Sequence, residues 1–114
     1  MHELSIAISI VEVAEEAARE QSGRVVAIHL KLGPLSGVVK EALLSSWPLA
    51  CERSSLKGSR LEIEDVVIAG FCTQCGVVQP AESIQSMACQ VCGTPMPDIR
   101  TGREMEIVAL EISD

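Results

Sequence analysis

The sequence predicts an α/β chain interrupted by a short cysteine-rich insert. Three features carry that expectation. Residues 4–22 place apolar side chains at helical spacing, residues 24–32 alternate as a strand does, and residues 70–102 hold four of the five cysteines. The 114 residues suffice for one globular domain with a small appendage. Trp47 and Phe71 are the only aromatic residues, so the core must be built from Leu, Ile, Val and Ala, and it closes at this size without much margin.

The first element is amphipathic. At about 100° per residue, Leu4, Ile6, Ala7, Ile10, Val11, Val13, Ala14, Ala17 and Ala18 share one half of the helical wheel, with Gln21 the only polar residue among them. Ser5, Ser9, Glu12, Glu15, Glu16, Arg19 and Glu20 occupy the other half. Ile8 breaks the pattern by falling on the polar side, either as an isolated surface residue or as a contact point beside the N-terminus. Gly23 reads as the C-cap.

A strand is expected over 24–32, where Val26, Ile28, Leu30 and Leu32 alternate with Ala27, His29 and Lys31, and Gly33-Pro34 ends it. Ala42, Leu43, Trp47 and Ala50 predict a second helix over 39–53. Pro48 should kink or divide it, because proline lacks the amide donor and its ring clashes one turn back. Residues 54–59 read as a loop around Gly58. A strand over 60–69 follows, with Leu61 and Ile63 against Glu62 and Glu64, and the last strand covers 104–112.

Composition excludes several classes of function. The formal charge is −7, whereas nucleic acid and anionic membrane surfaces demand clustered Lys and Arg. The longest apolar run, Val66 to Cys72, is far short of the roughly 18 residues of a membrane span. No Lys or Arg precedes Arg19, so no secretory signal is expected and the protein reads as cytoplasmic. In that reducing compartment cysteines favour metal over disulfides.

Residues 70–102 also hold four of the eight glycines, together with Pro80, Pro95 and Pro97, and have few large apolar side chains. Something other than a hydrophobic core must hold the segment. Cys72-Thr73-Gln74-Cys75-Gly76 and Cys89-Gln90-Val91-Cys92-Gly93 form two C-x-x-C-G knuckles with thirteen residues between Cys75 and Cys89. Cysteines three apart can place both sulfurs on one ion, and the following glycine lets the backbone turn with positive φ. Two knuckles supply the four thiolates that Zn²⁺ takes in closed structural sites, so Cys72, Cys75, Cys89 and Cys92 are the candidate ligands. Such binding supplies on the order of 10 kcal/mol of folding free energy. It leaves no open coordination position for catalysis. Two rivals share the spacing: a single-iron electron carrier of the rubredoxin kind, and a nucleic-acid zinc ribbon. The first lacks aromatic packing beyond Phe71. The second has only Arg100 against Glu82 and Asp98. Cys51 stands apart on the second helix as a small core residue.

The chain begins Met1-His2-Glu3. The Met1 amine, the His2 amide nitrogen and the His2 imidazole Nδ1 can close fused five- and six-membered chelate rings. The Glu3 amide or carboxylate completes four ligands. Planar nitrogen donors suit Ni²⁺ and Cu²⁺, and such a site is shallow, exchangeable and pH-dependent. By itself, a histidine at position 2 is most simply a frayed polar residue. His29 lies mid-strand and reads as structural or merely exposed. No Ser/His/Asp set, Walker loop or dinucleotide glycine pattern is present, so no enzyme is predicted.

Met1-His2-Glu3-Leu4-Ser5-Ile6-Ala7, Leu35-Ser36-Gly37-Val38, the two knuckles and Gly102-Arg103-Glu104-Met105-Glu106-Ile107 occur in that order. This resembles the HypA/HybF family of hydrogenase nickel-incorporation proteins over nearly the whole chain. The resemblance implies a nickel metallochaperone for [NiFe]-hydrogenase, with urease served in some members. It implies a two-layer α/β nickel domain, two helices on a three-stranded sheet, made of residues 1–69 and completed by 103–114. A zinc-ribbon-like module, residues 70–102, is inserted before the last strand. His2 would be the Ni(II) ligand, assisted by main-chain nitrogens of His2 and Glu3 and by the Met1 amine. Cys72, Cys75, Cys89 and Cys92 would carry structural Zn(II). A HypB-type GTPase and the hydrogenase large-subunit precursor would be the partners. Ile8, Pro34 and Pro48 depart from the family pattern, and the zinc segment lacks the histidine that some members use for nickel. A zinc-stabilised adaptor that docks partners without carrying nickel fits the same cysteines. A monomer and a weak or strand-exchanged homodimer both fit the break at Pro48 and the strand-linked insert.

Overall fold

Helix α1 (Glu3–Ala18) buries Ala7, Ile10, Val11 and Ala14, a stripe at i, i+3, i+4 and i+7. In the computed structural model, which describes residues 2–113, that stripe is narrower than the wheel predicts. Leu4, Val13 and Ala17 are exposed, and so is Ile8. The helix also stops four residues early. Arg19 to Ser22 are all polar and bring nothing to bury, so packing does not extend the helix over them. Arg19 instead caps it through its N–H to the Glu16 carbonyl. Gly23 is therefore not the C-cap. Its φ is +102°, and a Cβ there would lie 2.4 Å from the Ser113 carbonyl oxygen, so the turn into β1 needs glycine for both reasons.

Strand β1 (Arg24–Leu32) has the expected bounds. Its alternation changes phase. Val25 and Ala27 are buried, then Ile28, Leu30 and Leu32, so Val26 does not share the core side with Ile28. A short 3-10 turn (Pro34–Ser36) follows and leads to helix α2 (Lys40–Cys51). Pro48 does not divide α2. It lies in the last turn, where it removes a single ladder bond, while the buried Leu43, Trp47 and Cys51 hold the helix from the other side. The Trp47 indole N–H also donates to the Ser59 carbonyl at 3.2 Å.

Strand β2 (Arg60–Asp65) ends four residues sooner than expected. The apolar run that follows it opens a different sheet: β3 (Ala69–Cys72), β4 (Val77–Pro80) and β5 (Ile99–Thr101) pair antiparallel in the order β4-β3-β5. Strand β6 (Met105–Ser113) returns to the first sheet, whose order is β2-β1-β6.

The described residues fall into two compact units. One holds the stretch up to Leu30, Val38–Glu64 and the chain from Glu106 onward. Here α1 and α2 lie against each other over one face of the three-stranded sheet. Ile28, Leu30 and Leu61 from the sheet meet Ile10, Val11, Leu43 and Trp47 from the helices in a single core. The other unit holds Lys31–Gly37 and Asp65–Met105, and its core is Cys72, Cys89 and Met96. No helix among the described residues is long and apolar enough to cross a membrane.

Candidate metal centres

Each cysteine pair of the second unit sits in a tight turn. Between β3 and β4 the first knuckle closes with the Gly76 N–H donating to the Cys72 carbonyl at 2.8 Å, and the Cys75 N–H points at the Cys72 sulfur at 3.3 Å. The second knuckle repeats the closure, Gly93 N–H to the Cys89 carbonyl at 2.8 Å. Gly76 has φ +75° and Gly93 φ +78°, the left-handed turn that the glycine after each second cysteine supplies. The bridge of Ala81 to Cys89 brings the second knuckle back beside the first, and the bridge of Ala88 to Pro95 closes the turn that holds it.

The four sulfurs lie within 4.8 Å of one another. Cys72 and Cys92 are 3.4 Å apart, and Cys75 and Cys92 3.8 Å. An ion with tetrahedral metal–sulfur bonds of about 2.3 Å spaces its sulfurs about 3.8 Å apart, so the donor set fits such an ion. Cys72 and Cys89 are fully buried, Cys75 is half-buried and Cys92 is exposed. Crowding works against ionising all four thiols of one cluster. The Cys72 side chain at Cys75, with burial next, pushes the Cys75 thiol up to about 12. The Thr94 hydroxyl, 3.2 Å from the Cys92 sulfur, pulls Cys92 down to about 6. A cation among the sulfurs removes that conflict by stabilising all the thiolates together. Sequence reasoning missed Thr94. The signal was its place directly after the second C-x-x-C-G.

At the other candidate centre, His2 is exposed and is the N-cap of α1, with φ −93° and ψ 100°. Its side chain makes no capping hydrogen bond, and its carbonyl accepts the Ile6 N–H at 3.2 Å. Glu3 is the first helical residue, and its carboxylate accepts the Val39 N–H at 3.1 Å. That bond holds the Glu3 carboxyl below its ordinary range. Met1 lies outside the described residues. His29 is held on the sheet by Glu111, Nε2 to Oε2 2.6 Å, apart from either centre. Cys51 is buried in the first unit, and burial pushes its thiol up.

Over residues 1–112 the chain matches the family described as "Hydrogenase/urease nickel incorporation, metallochaperone, hypA". The chain belongs to the HypA family. It is 46% identical over its full length to the hydrogenase maturation factor HypA of Roseiflexus sp. (strain RS-1), covering 94% of that protein. It is 43% identical to the HypA of Chloroflexus aurantiacus, with 97% of this chain and 98% of that one aligned. The solution structure of the Ni metallochaperone HypA from Helicobacter pylori superposes with a TM-score of 0.67 at 25% identity, covering 98% of this chain and 97% of that one. As a HypA protein the chain is a nickel metallochaperone for hydrogenase or urease and not an enzyme. The knuckles accordingly belong to a nickel-incorporation protein rather than to an electron carrier or a nucleic-acid ribbon.

Proposed function

We propose that the chain carries Ni²⁺ at its N-terminus and keeps Zn²⁺ at its four clustered cysteines, and that it hands nickel to the [NiFe]-hydrogenase large-subunit precursor together with a HypB-type GTPase. The observation that carries this reading is the division between two donor sets. Cys72, Cys75, Cys89 and Cys92 offer a complete sulfur tetrahedron, which suits a resident ion. His2 offers an exposed imidazole that caps nothing, beside main-chain nitrogens at a helix start. Planar nitrogen donors favour Ni²⁺, and an edge-exposed planar site gives up its ion to an incoming ligand from above or below. The imidazole Nδ1 and the amide nitrogen of His2 form the centre of the chelate, and the Met1 amine and Glu3 amide flank it. Since the Glu3 carboxylate is engaged by Val39, the Glu3 contribution falls to its main-chain nitrogen.

Nickel titration tests the reading in three untagged proteins: the native chain, His2→Ala, and a chain with residues added before Met1. Nickel affinity should fall at least about tenfold in the last two, the loss of one ligand of a chelate being worth 1.4 kcal/mol or more. Equal affinity in all three removes the nickel site. Metal analysis of the same samples should give zinc that survives in His2→Ala and disappears in Cys72→Ser.

A further inference from the structure

The four sulfurs of the knuckle cluster share one site but not one exposure. Cys72 and Cys89 are 0% exposed, and Cys75 is half-buried. Cys92 alone is open to solvent. Its surroundings keep it so. Gln90, Val91 and Gly93 are all exposed, and a Cβ on Gly93 would meet nothing within 4 Å. The second knuckle therefore presents one ligand sulfur on an uncovered turn. Behind that sulfur stand two from the first knuckle, Cys72 at 3.4 Å and Cys75 at 3.8 Å.

We propose that Cys92 is an oxidation site at which a hydroperoxide makes the cluster release its zinc, with Cys72 as the sulfur that completes the bond. The proposal rests on the zinc reading of the four cysteines and adds a way for that ion to leave. The Cys92 thiolate attacks one oxygen of the peroxide. The O–O bond breaks, the far oxygen leaves as hydroxide, and the sulfur, oxidised by two electrons, becomes a sulfenic acid. The Cys72 thiolate then attacks the Cys92 sulfur. The S–O bond breaks and a second hydroxide leaves as the disulfide forms. Two thiolates and one peroxide thus give one disulfide and two hydroxides. The ion loses two ligands together, and two sulfurs no longer close a tetrahedron around it. Exposure admits the oxidant, and contact with Cys72 lets the disulfide form before more oxygen adds. A bound thiolate shares its charge with the ion and reacts slowly, but the product accumulates because only a reductant reverses it. Cys51 does not compete, being 1% exposed and in the other unit. The new bond joins residues twenty apart and replaces the ion as the tie between the knuckles.

The test follows zinc and disulfides together in the full-length protein. Metal analysis comes first: a preparation with free thiols that binds no zinc overturns the zinc reading, and this proposal with it. Zinc-loaded protein is then treated with hydrogen peroxide. A chromogenic chelator reads the released ion, and samples are quenched in acid and alkylated for mass spectrometry. Cleavage after Glu82 separates the two knuckles, so a bond between them joins two peptides and a bond within one knuckle does not. Disulfide should appear in step with released zinc, joining Cys72 to Cys92, and a dithiol reductant should restore zinc binding. Cys92→His keeps four ligands that zinc accepts and removes the exposed sulfur. Its peroxide-driven release should be slower by about tenfold or more, the accessible thiolate being gone. Release at the native rate in Cys92→His overturns the proposal. So does a first disulfide confined to one knuckle, or zinc loss with all four thiols still free. If Cys92→His does not retain zinc, the mapping in native protein decides by itself.

Discussion

The Glu3 carboxylate accepts the backbone N–H of Val39 at 3.1 Å, so the first residue of one helix caps the start of the other. Val39 has no oxygen of its own with which to cap α2, and the first N–H groups of a helix have no intrahelical acceptor. A carboxylate at a helix start answers both the orphan donor and the positive end of the helix dipole. Glu3 also neighbours His2. Holding Glu3 in place therefore holds the main chain on which the proposed chelate is built.

Removing that cap should lower stability in a pH-dependent way. The Glu3 carboxyl titrates below its ordinary value because the Val39 N–H stabilises the charged form. Its folded pKa is depressed, so its contribution is fully present above the unfolded carboxylate value and fades as pH falls through the folded one. Native protein should melt above Glu3→Ala at neutral pH, with Glu3→Gln between them. The gap should close in acid, below both pKa values. A gap that persists unchanged when the carboxyl is protonated would show that packing of the Glu3 stem, rather than the charged cap, is responsible.

Glycine positions separate crowding from backbone strain. A Cβ on Gly33 would lie 2.2 Å from the Gly102 carbonyl oxygen, against fixed backbone. A Cβ on Gly76 would meet nothing within 4 Å, so only its φ of +75° opposes a side chain. Gly76→Ala should then cost about 1–2 kcal/mol, the usual penalty of the left-handed region. Gly33→Ala should cost more, because a backbone segment has to move. Chemical denaturation of the zinc-loaded proteins measures both, and equal losses would mean that the Gly33 to Gly102 approach relaxes freely.

Local pattern made much of this molecule legible. The bounds of β1 follow from alternation up to Gly33-Pro34, and the sulfur cluster follows from knuckle spacing alone. Three kinds of feature were not legible. Helix ends depended on whether anything was left to bury, which is why α1 stops at Ala18 and not at Gly23. Pro48 was overruled by tertiary contacts, since Trp47 and Cys51 on either side of it are buried and the lost bond lies in the final turn. The strands β3, β4 and β5 are three or four residues long and carry no usable alternation; they exist because the knuckles bring Cys72 opposite Val77 and because Gly70 comes opposite Ile99. The Glu3 to Val39 contact joins residues thirty-six apart and has no short-range signature.

Thiol labelling should sort the five cysteines by environment. Cys51 is 1% exposed, and burial raises its thiol, with the Ser59 hydroxyl at 3.8 Å opposing that rise only in part. The thiolate is the reactive form, so Cys51 should react slowly at pH 8. In zinc-loaded protein iodoacetamide should add little. After chelation four adducts should appear quickly and map to Cys72, Cys75, Cys89 and Cys92. A fifth, at Cys51, should need denaturant. Early modification of Cys51 would mean that the Leu43, Trp47 and Cys51 side of α2 opens on its own.

Metal removal should act on one unit and spare the other. The second unit clusters Met96 with its cysteines and otherwise buries few apolar residues, among them Leu32, Ile68 and Ala69, with β-strands of three or four residues, so little besides the ion opposes its unfolding. Structural zinc in such modules is worth on the order of 10 kcal/mol. The first unit buries Ile28, Leu30, Leu43, Trp47 and Leu56 without using a metal. Chelation at neutral pH should therefore abolish amide protection in β3, β4 and β5, and leave the helical circular dichroism and the protection of α1 and β1 close to native. Acid should release the ion as chelators do, because the thiolates must be protonated as it leaves. If helix signal and module protection vanish together in one transition, the two cores are not independent, and the metal sustains the whole chain.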